Sequence, residues 1–292
     1  MKIALSKYAG FCDGVKRAYG IVEKASKNKK IKRPIFVLGS LVHNQDVVDK
    51  IEKMGIKKIS FHGNAPHFFS EAKGKIGTLI IRAHGIGPEF YALAKKNKID
   101  LIDATCPRVA KVQRLAKLFS DNLYQIIIIG DRKHKEIKGI SEWSGNKARI
   151  IETEKDLEKL KISPDKKIAI ISQTTQNEDL VRNISEKIKK KYPGLVEAFD
   201  TLCLTTHKRQ KEIKDIARKN DVVLVIGSPK SANSTHLWEI ARKINKKSYF
   251  IEGFGEIKKS WLKKVKKIGV SAGASTPPWI IKDVCSFLEN KL

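Results

Sequence analysis

The sequence is poor in cysteine, and no two of its cysteines are close together. Cys12, Cys106, Cys203 and Cys285 are the only four in 292 residues. That is too few for a disulfide framework in a chain of this size, and no Cys-x-x-Cys pair marks a structural zinc. Long apolar runs are missing too. None approaches the ~20 residues that cross a bilayer, and the stretch Met1 to Lys7 carries no apolar core with a cleavage site. A disulfide-stapled secreted module and a membrane-spanning chain are thereby excluded, and a cytoplasmic protein without membrane partners is expected. Acidic residues are few beside basic ones, 31 against 59, for a formal net charge of +28. Such a charge raises one alternative, a basic nucleic-acid-binding protein with a structural metal site. The lysines are dispersed, however. Clusters such as Lys187 to Lys191 and Lys263 to Lys267 lie far apart in the chain. Dispersed lysine on solvated faces argues against a nucleic-acid partner, while still attracting acidic proteins and anionic substrates.

What the chain does have is a repeat. Cys106 stands 94 residues after Cys12, and Cys203 stands 97 after Cys106. A short apolar segment leads into each cysteine: Ile3 to Leu5, Ile99 to Ile102, and Leu195 to Phe199. A helical period follows, through Val15, Ala18, Val22 and Ala25, through Val109, Val112, Ala116 and Phe119, and through Ile213, Ile216 and Ala217. Next comes an apolar strand ending in glycine, closing at Gly39, Gly130 and Gly227. Four residues beyond each glycine is a polar side chain: His43, His134 and Ser231. A further apolar run then leads to His84, to Gln173-Thr174-Thr175, and to Gly273-Ala274-Ser275.

Strands apolar on both faces and alternating with helices predict an α/β protein with mainly parallel sheets. Three similar small domains are expected, at 1–97 with Cys12, 98–194 with Cys106 and 195–292 with Cys203. Pro193-Gly194 supplies a turn at the second boundary. Ligands of parallel sheets bind beyond the carboxyl ends of the strands, where every polar residue just named falls.

A lone cysteine is usually a small buried hydrophobe, and Cys285, outside the repeat, reads that way. Three at equivalent positions predict a shared site. Thiolates hold iron–sulfur clusters, and three on a four-iron cluster would leave one iron open to substrate. The loop histidines His43, His84 and His134, with Ser231, Asn233 and Ser275, suit a phosphorylated ligand. Glu136, two residues from His134, is the best candidate proton donor. Thr174 could relay a proton, or the stretch Gln173-Thr174-Thr175 could simply cap a helix. His62, His67 and His236 read as surface or packing residues. A hydratase using an open iron without an electron supply is a weaker rival reading.

Seven motifs, in order, carry a resemblance over nearly the whole chain. They are Gly10-Phe11-Cys12-Asp13-Gly14-Val15, Val42-His43-Asn44, Arg82-Ala83-His84-Gly85, Ala104-Thr105-Cys106-Pro107, Ser172-Gln173-Thr174-Thr175, Ser231-Ala232-Asn233-Ser234 and Ala272-Gly273-Ala274-Ser275-Thr276-Pro277. With these the chain resembles the 4-hydroxy-3-methylbut-2-enyl diphosphate reductases of the methylerythritol phosphate route to isoprenoids. The resemblance implies a trefoil of three α/β domains around a 4Fe–4S cluster with three ligands, Cys12, Cys106 and Cys203, and one open iron. It implies that His43, His84, Ser231, Asn233 and Ser275 hold the diphosphate, with His134 beside it and Ala232 contributing only its backbone. Glu136 would supply protons, helped by Thr174, and a ferredoxin or flavodoxin would supply electrons. Lys135 stands where relatives often carry proline.

Overall fold

The computed structural model describes residues 2–60, 65–163 and 166–290. The chain opens with β1 (Lys2–Leu5), α1 (Asp13–Lys27), β2 (Ile35–Leu38), α2 (Gln45–Lys53), β3 (Lys57–Ile59), α3 (Ala65–Ala72), β4 (Thr78–Ile81) and α4 (Pro88–Lys96). It continues with β5 (Asp100–Asp103), α5 (Pro107–Asp121), β6 (Gln125–Ile129), α6 (Lys135–Trp143), β7 (Arg149–Ile151), β8 (Ile168–Ser172) and α7 (Glu178–Lys191). Then follow β9 (Val196–Ala198), α8 (Leu204–Lys219), β10 (Val222–Ile226), α9 (Ala232–Ile244), β11 (Ser248–Ile251), β12 (Lys267–Ala272) and α10 (Pro278–Glu289).

Among the described residues the strands form three four-stranded sheets, β3-β2-β4-β5, β7-β6-β8-β9 and β1-β12-β10-β11. All their pairings are parallel. This is the α/β class that the apolar strands predict. The chain divides into two compact units. The first comprises residues 1–16, 42–47 and 203–292 and holds the sheet β1-β12-β10-β11. The second comprises 17–41 and 48–202 and holds the other two sheets.

Successive side chains of the central strands are buried in alternate core clusters, so both faces of these strands are covered. In β6, Ile126 and Ile128 pack with Val112 of α5 and Ile137 of α6. Ile127 and Ile129 pack on the other side with Ile184 and Ile188 of α7. In β10, Leu224 and Ile226 pack with Val284 and Leu288 of α10, while Val223 and Val225 pack with Ile213 of α8 and Leu237 of α9. Each such side chain taken fully out of water contributes about 1.5–3 kcal/mol. Continuous isoleucine runs are the sequence form of this two-sided burial.

The sheets do not break at residues 97 and 194. The strands leading to Cys106 and Cys203 each close the sheet that precedes them in sequence, and the strand leading to Cys12 joins the sheet formed by the last strands of the chain. Ile80 of β4 pairs with Ile102 of β5, Ile170 of β8 with Ala198 of β9, and Ala4 of β1 with Gly269 of β12. A parallel strand joins the open edge that its crossover helix can reach, and α4 and α7 return the chain to the sheet they have just left. Three strands were not expected, β3, β7 and β11. All three are edge strands. Lys57, Lys58 and Arg149 give two of them the short, charged character typical of protected edges.

Gly269 lies where β12 meets α8, and a Cβ there would come within 2.3 Å of Ile216 Cγ2. Gly269→Ala is therefore expected to destabilise the chain by about 1–3 kcal/mol through overpacking. A lower urea midpoint at unchanged slope would show it; an unchanged midpoint would mean that α8 can retreat without loss.

Candidate active site

Each of the three repeat cysteines begins a helix. Cys106 is the N-cap of α5 and Cys203 the N-cap of α8. Cys12 directly precedes α1, and its carbonyl accepts from the Lys16 backbone N–H at 2.8 Å. All three are half-buried, and no disulfide joins any of the four cysteines. A helix N-terminus places partial positive charge and unsatisfied N–H groups near each of these cysteines. These three are the side chains that could hold a thiolate-bound metal centre. Cys285 differs. It sits inside α10 against the apolar core, and burial, with Glu289 nearby, raises its thiol above the usual range.

In the first unit, Cys12 and Cys203 share one buried cation. Arg209, on the second turn of α8, lies within electrostatic reach of both. Its Nη1 donates to the Ala272 carbonyl at 2.9 Å, and its Nη2 donates to the carbonyl of Gly10, two residues before Cys12. Gly10 has φ +85°, a conformation that favours glycine.

A second cluster in this unit sits where the chain leaves β10 and β12 in opposite directions, the crevice in which α/β sheets bind ligands. Ser231, the N-cap of α9, receives hydrogen bonds on Oγ from Ser234 Oγ at 3.1 Å and Ser275 Oγ at 3.2 Å. Ala232 opens α9, so its side chain offers no donor and the helix start offers backbone N–H groups. Asn233 is 6% exposed, and its Nδ2 has no hydrogen-bond partner. Buried amide donors are nearly always satisfied, so a donor left over at a helix N-terminus fits an anionic ligand. Gly227 and Gly273 make the space, since a Cβ on either would lie within 2.2 Å of Ser234 Oγ. His43 stands two residues before α2, and the adjacent Asn44 caps that helix through the Val47 N–H at 3.2 Å.

In the second unit the remaining candidates form a chain of contacts. The Cys106 N–H donates to the Ala83 carbonyl at 3.0 Å, which ties the cysteine turn to the His84 loop. The rings of His84 and His134 meet edge to face at 5.2 Å. His134 is the N-cap of α6, and its Nδ1 accepts from the Glu136 N–H at 3.3 Å. In the neutral ring that leaves the proton on Nε2. Glu136 is 2% exposed. Its Oε1 accepts from the Thr174 N–H at 2.6 Å and its Oε2 from Thr174 Oγ1 at 3.0 Å. Burial pushes the Glu136 carboxyl up to about 7, against the two Thr174 hydrogen bonds that pull it down, with Asp131 adding a small push upward. A carboxyl that titrates near neutrality can hold a proton and give it up. Thr174 is thus committed to Glu136 and caps nothing; Asn177 caps α7.

Some side chains that position these groups carry no clear sequence signal. Trp143 Nε1 and Gln113 Nε2 both donate to the Ile86 carbonyl, at 2.9 and 3.5 Å, and fix the loop after His84. Gly85 has φ +68°, and a Cβ there would lie 2.4 Å from Gln113 Nε2. Arg82 is buried beside the Leu38 carbonyl, and burial lowers its guanidinium to about 10. Lys135 occupies the first position of α6, where proline is equally at home because that N–H has no helical partner. The α6 start therefore does not depend on which of the two is present. His67 pairs with Glu71 at the surface, His236 is half-buried on α9, and His62 lies outside the described residues.

The sequence profile of the LytB protein family matches residues 3–289. The chain is 36% identical over 291 residues to the 4-hydroxy-3-methylbut-2-enyl diphosphate reductase of Alkaliphilus oremlandii, covering 99% of this chain and 100% of that one. It is 38% identical over 282 residues to the reductase of the same name from Bacillus licheniformis, covering 96% and 88%. In structure it is similar to the E-1-hydroxy-2-methyl-but-2-enyl-4-diphosphate reductase of Plasmodium falciparum, with a TM-score of 0.88, 32% identity, and coverage of 99% and 87%. None of these names concerns nucleic-acid binding, and that alternative gains no support.

The raised Glu136 carboxyl makes stability depend on pH. Between about 4.5 and 7 the folded chain holds a proton that the unfolded chain has lost. Stability contributed by this group is fully present below that window and is lost as pH rises through it, by up to ~1.4 kcal/mol per pH unit. In Glu136→Gln that slope should be absent, so thermal melts of variant and wild type should diverge in favour of the variant as pH rises. Parallel curves would show that Glu136 ionises like a surface acid.

Proposed function

The chain belongs to the LytB protein family, and from that premise we propose that it reductively removes the hydroxyl group of 4-hydroxy-3-methylbut-2-enyl diphosphate. Two electrons and two protons replace the allylic C–O bond with C–H and release water, giving isopentenyl and dimethylallyl diphosphates. The observation that carries the reading is the placement of Cys12, Cys106 and Cys203 at three helix starts, in a chain that matches the family from end to end. The family is one of iron–sulfur enzymes. The three cysteines would hold a 4Fe–4S cluster, and the fit is supported by their place at three helix starts, with a buried guanidinium within electrostatic reach of two of them. When bound, such a cluster supplies an iron without a thiolate, able to take the substrate oxygen, and a route for electrons.

The protein's own groups bind, orient and protonate. Ser231, Asn233 and Ser275, with the backbone at Ala232, grip the diphosphate, supported by the leftover Asn233 donor and the α9 N-terminus. His43, His84 and His134 add N–H donors to the same group. Glu136 delivers a proton to the departing hydroxyl, held in place by both Thr174 hydrogen bonds. Its deep burial keeps the site from exchanging that proton freely with bulk water.

Electrons arrive from a ferredoxin or flavodoxin. Leu204, next to Cys203, is 53% exposed, and Lys208, one turn further along α8, places its ammonium 5.6 Å from the ring centre of the exposed Tyr8. An apolar contact rimmed by lysine suits a small acidic electron carrier. Among the described residues no helix is long and apolar enough to cross a membrane. Four cysteines joined by no disulfide support a reducing, cytoplasmic setting for this chemistry.

Anaerobic reconstitution tests the reading. The chain should take up about four irons, and Cys106→Ser should lose them. Glu136→Gln should keep the iron and lose at least ~10²-fold in turnover. Iron retained after Cys106→Ser would rule out the ligand set. Steady-state kinetics of Lys208→Glu test the docking face. KM for the reduced carrier protein should rise severalfold, while turnover driven by dithionite stays as in wild type. An unchanged KM would move the docking face elsewhere.

A further inference from the structure

Arg209 is a charge without an evident reason to be buried. It is 3% exposed, six residues after Cys203. Its two amino groups donate to neutral carbonyls, those of Ala272 and Gly10, and its Nε has no partner. Carbonyls satisfy hydrogen bonds but leave the charge uncompensated, which is strongly unfavourable away from water. The carboxylate in reach is committed elsewhere. Glu212 accepts from Ser6 Oγ and from the backbone N–H groups of Lys7 and Tyr8. Asp13 is exposed to solvent. Cys12 and Cys203 exert the largest attractive influences on the guanidinium, ahead of both acids.

We propose that Arg209 is the buried counter-charge of the iron–sulfur centre, fixing the Cys12 turn against α8 and stabilising the electron that the centre accepts. The proposal rests on the reading of Cys12 and Cys203 as cluster ligands. Its two parts use different features of one side chain. The fork of N–H groups joins Gly10, just before Cys12, to the helix that Cys203 caps, so it sets the spacing of two ligands. The positive charge acts on the redox step. One electron from the carrier protein, or from dithionite, makes the cluster more negative by one unit. A fixed cation in a low-dielectric site favours that more negative state. Water cannot substitute for it, because the guanidinium is sealed from solvent.

The test compares reconstituted wild type, Arg209→Lys and Arg209→Met by iron content and by the paramagnetic signal titrated against potential with dithionite. Arg209→Lys keeps the charge and loses the fork. It should hold the wild-type potential and surrender iron to a chelator faster. Arg209→Met loses both. It should be at least tenfold harder to reduce, a drop of about 59 mV for one electron. A fully loaded Arg209→Met protein with the wild-type potential overturns the proposal. Should that variant fail to load, Arg209→Lys decides alone: a wild-type potential supports the counter-charge, and a lowered one overturns it. A wild-type chain that binds no iron, or keeps it after Cys203→Ser, removes the ligand reading and the proposal together. An unchanged potential in loaded Arg209→Met protein removes only the role of Arg209.

Discussion

Parallel strand pairing is the constraint from which the site follows. A parallel sheet sends every strand out through the same edge, and each exit here runs into a turn and then a helix start. The cysteines, the loop histidines and the serine cluster are all exit residues: Cys106 follows β5, His134 follows β6, Ser231 follows β10. The helix that begins there adds partial positive charge and spare N–H groups. That one arrangement supports both chemistries the site needs. Cysteines stand at the starts of α1, α5 and α8, and an anion can be held at α9. Antiparallel sheets would have split these residues between two edges.

Two buried ionisable groups show the same physics with opposite outcomes. Glu136 is out of water with only Thr174 to support its charged form, and its carboxyl rises to about 7. Burial there makes a proton available near neutrality. Arg209 is equally sealed, yet a guanidinium does not give up its proton at neutral pH. It must find negative charge instead, and the cysteines provide it. Burial thus suppresses the charge of an acid in one unit and intensifies that of a cation in the other. Exchanging either for a surface-exposed counterpart would weaken its effect, because water would screen it.

The central strands, the helices after the cysteines and the polar strand exits were legible in the sequence. Isoleucine runs mark strands covered on both faces, and the near-equal cysteine spacing marks the repeat. The edge strands were less visible. Lys57-Lys58-Ile59 is too short and too charged to show a strand pattern, although Tyr249-Phe250-Ile251 in β11 carried the aromatic character that could have revealed it. Sheet boundaries were also hidden. Sequence order suggests that a strand belongs with the helix it precedes, whereas β5 and β9 pair with the strands before them. At the site, the residue types of Glu136 and Thr174 were readable but their pairing was not, since 38 residues separate them. Arg209 was missed because an arginine in a lysine-rich helix looks like another solvated cation. Only its bonds to Gly10 and Ala272 reveal it as buried.

The fourth cysteine explains why the ligand set should stop at three. A cysteine at a helix start has the positive end of the helix dipole beside it. Cys285 does not: it lies within α10, against the core that includes Val284 and Leu288, and burial raises its thiol above the usual range. Recruiting it would mean unwinding a helix whose apolar face holds the sheet β1-β12-β10-β11 together. The proposed ligands come one from each repeat, each from a separate strand exit. With Cys285 set aside, the proposed centre has three protein ligands and a coordination position left for substrate, so the spacing of the cysteines and the chemistry of the proposed reaction reduce to one requirement.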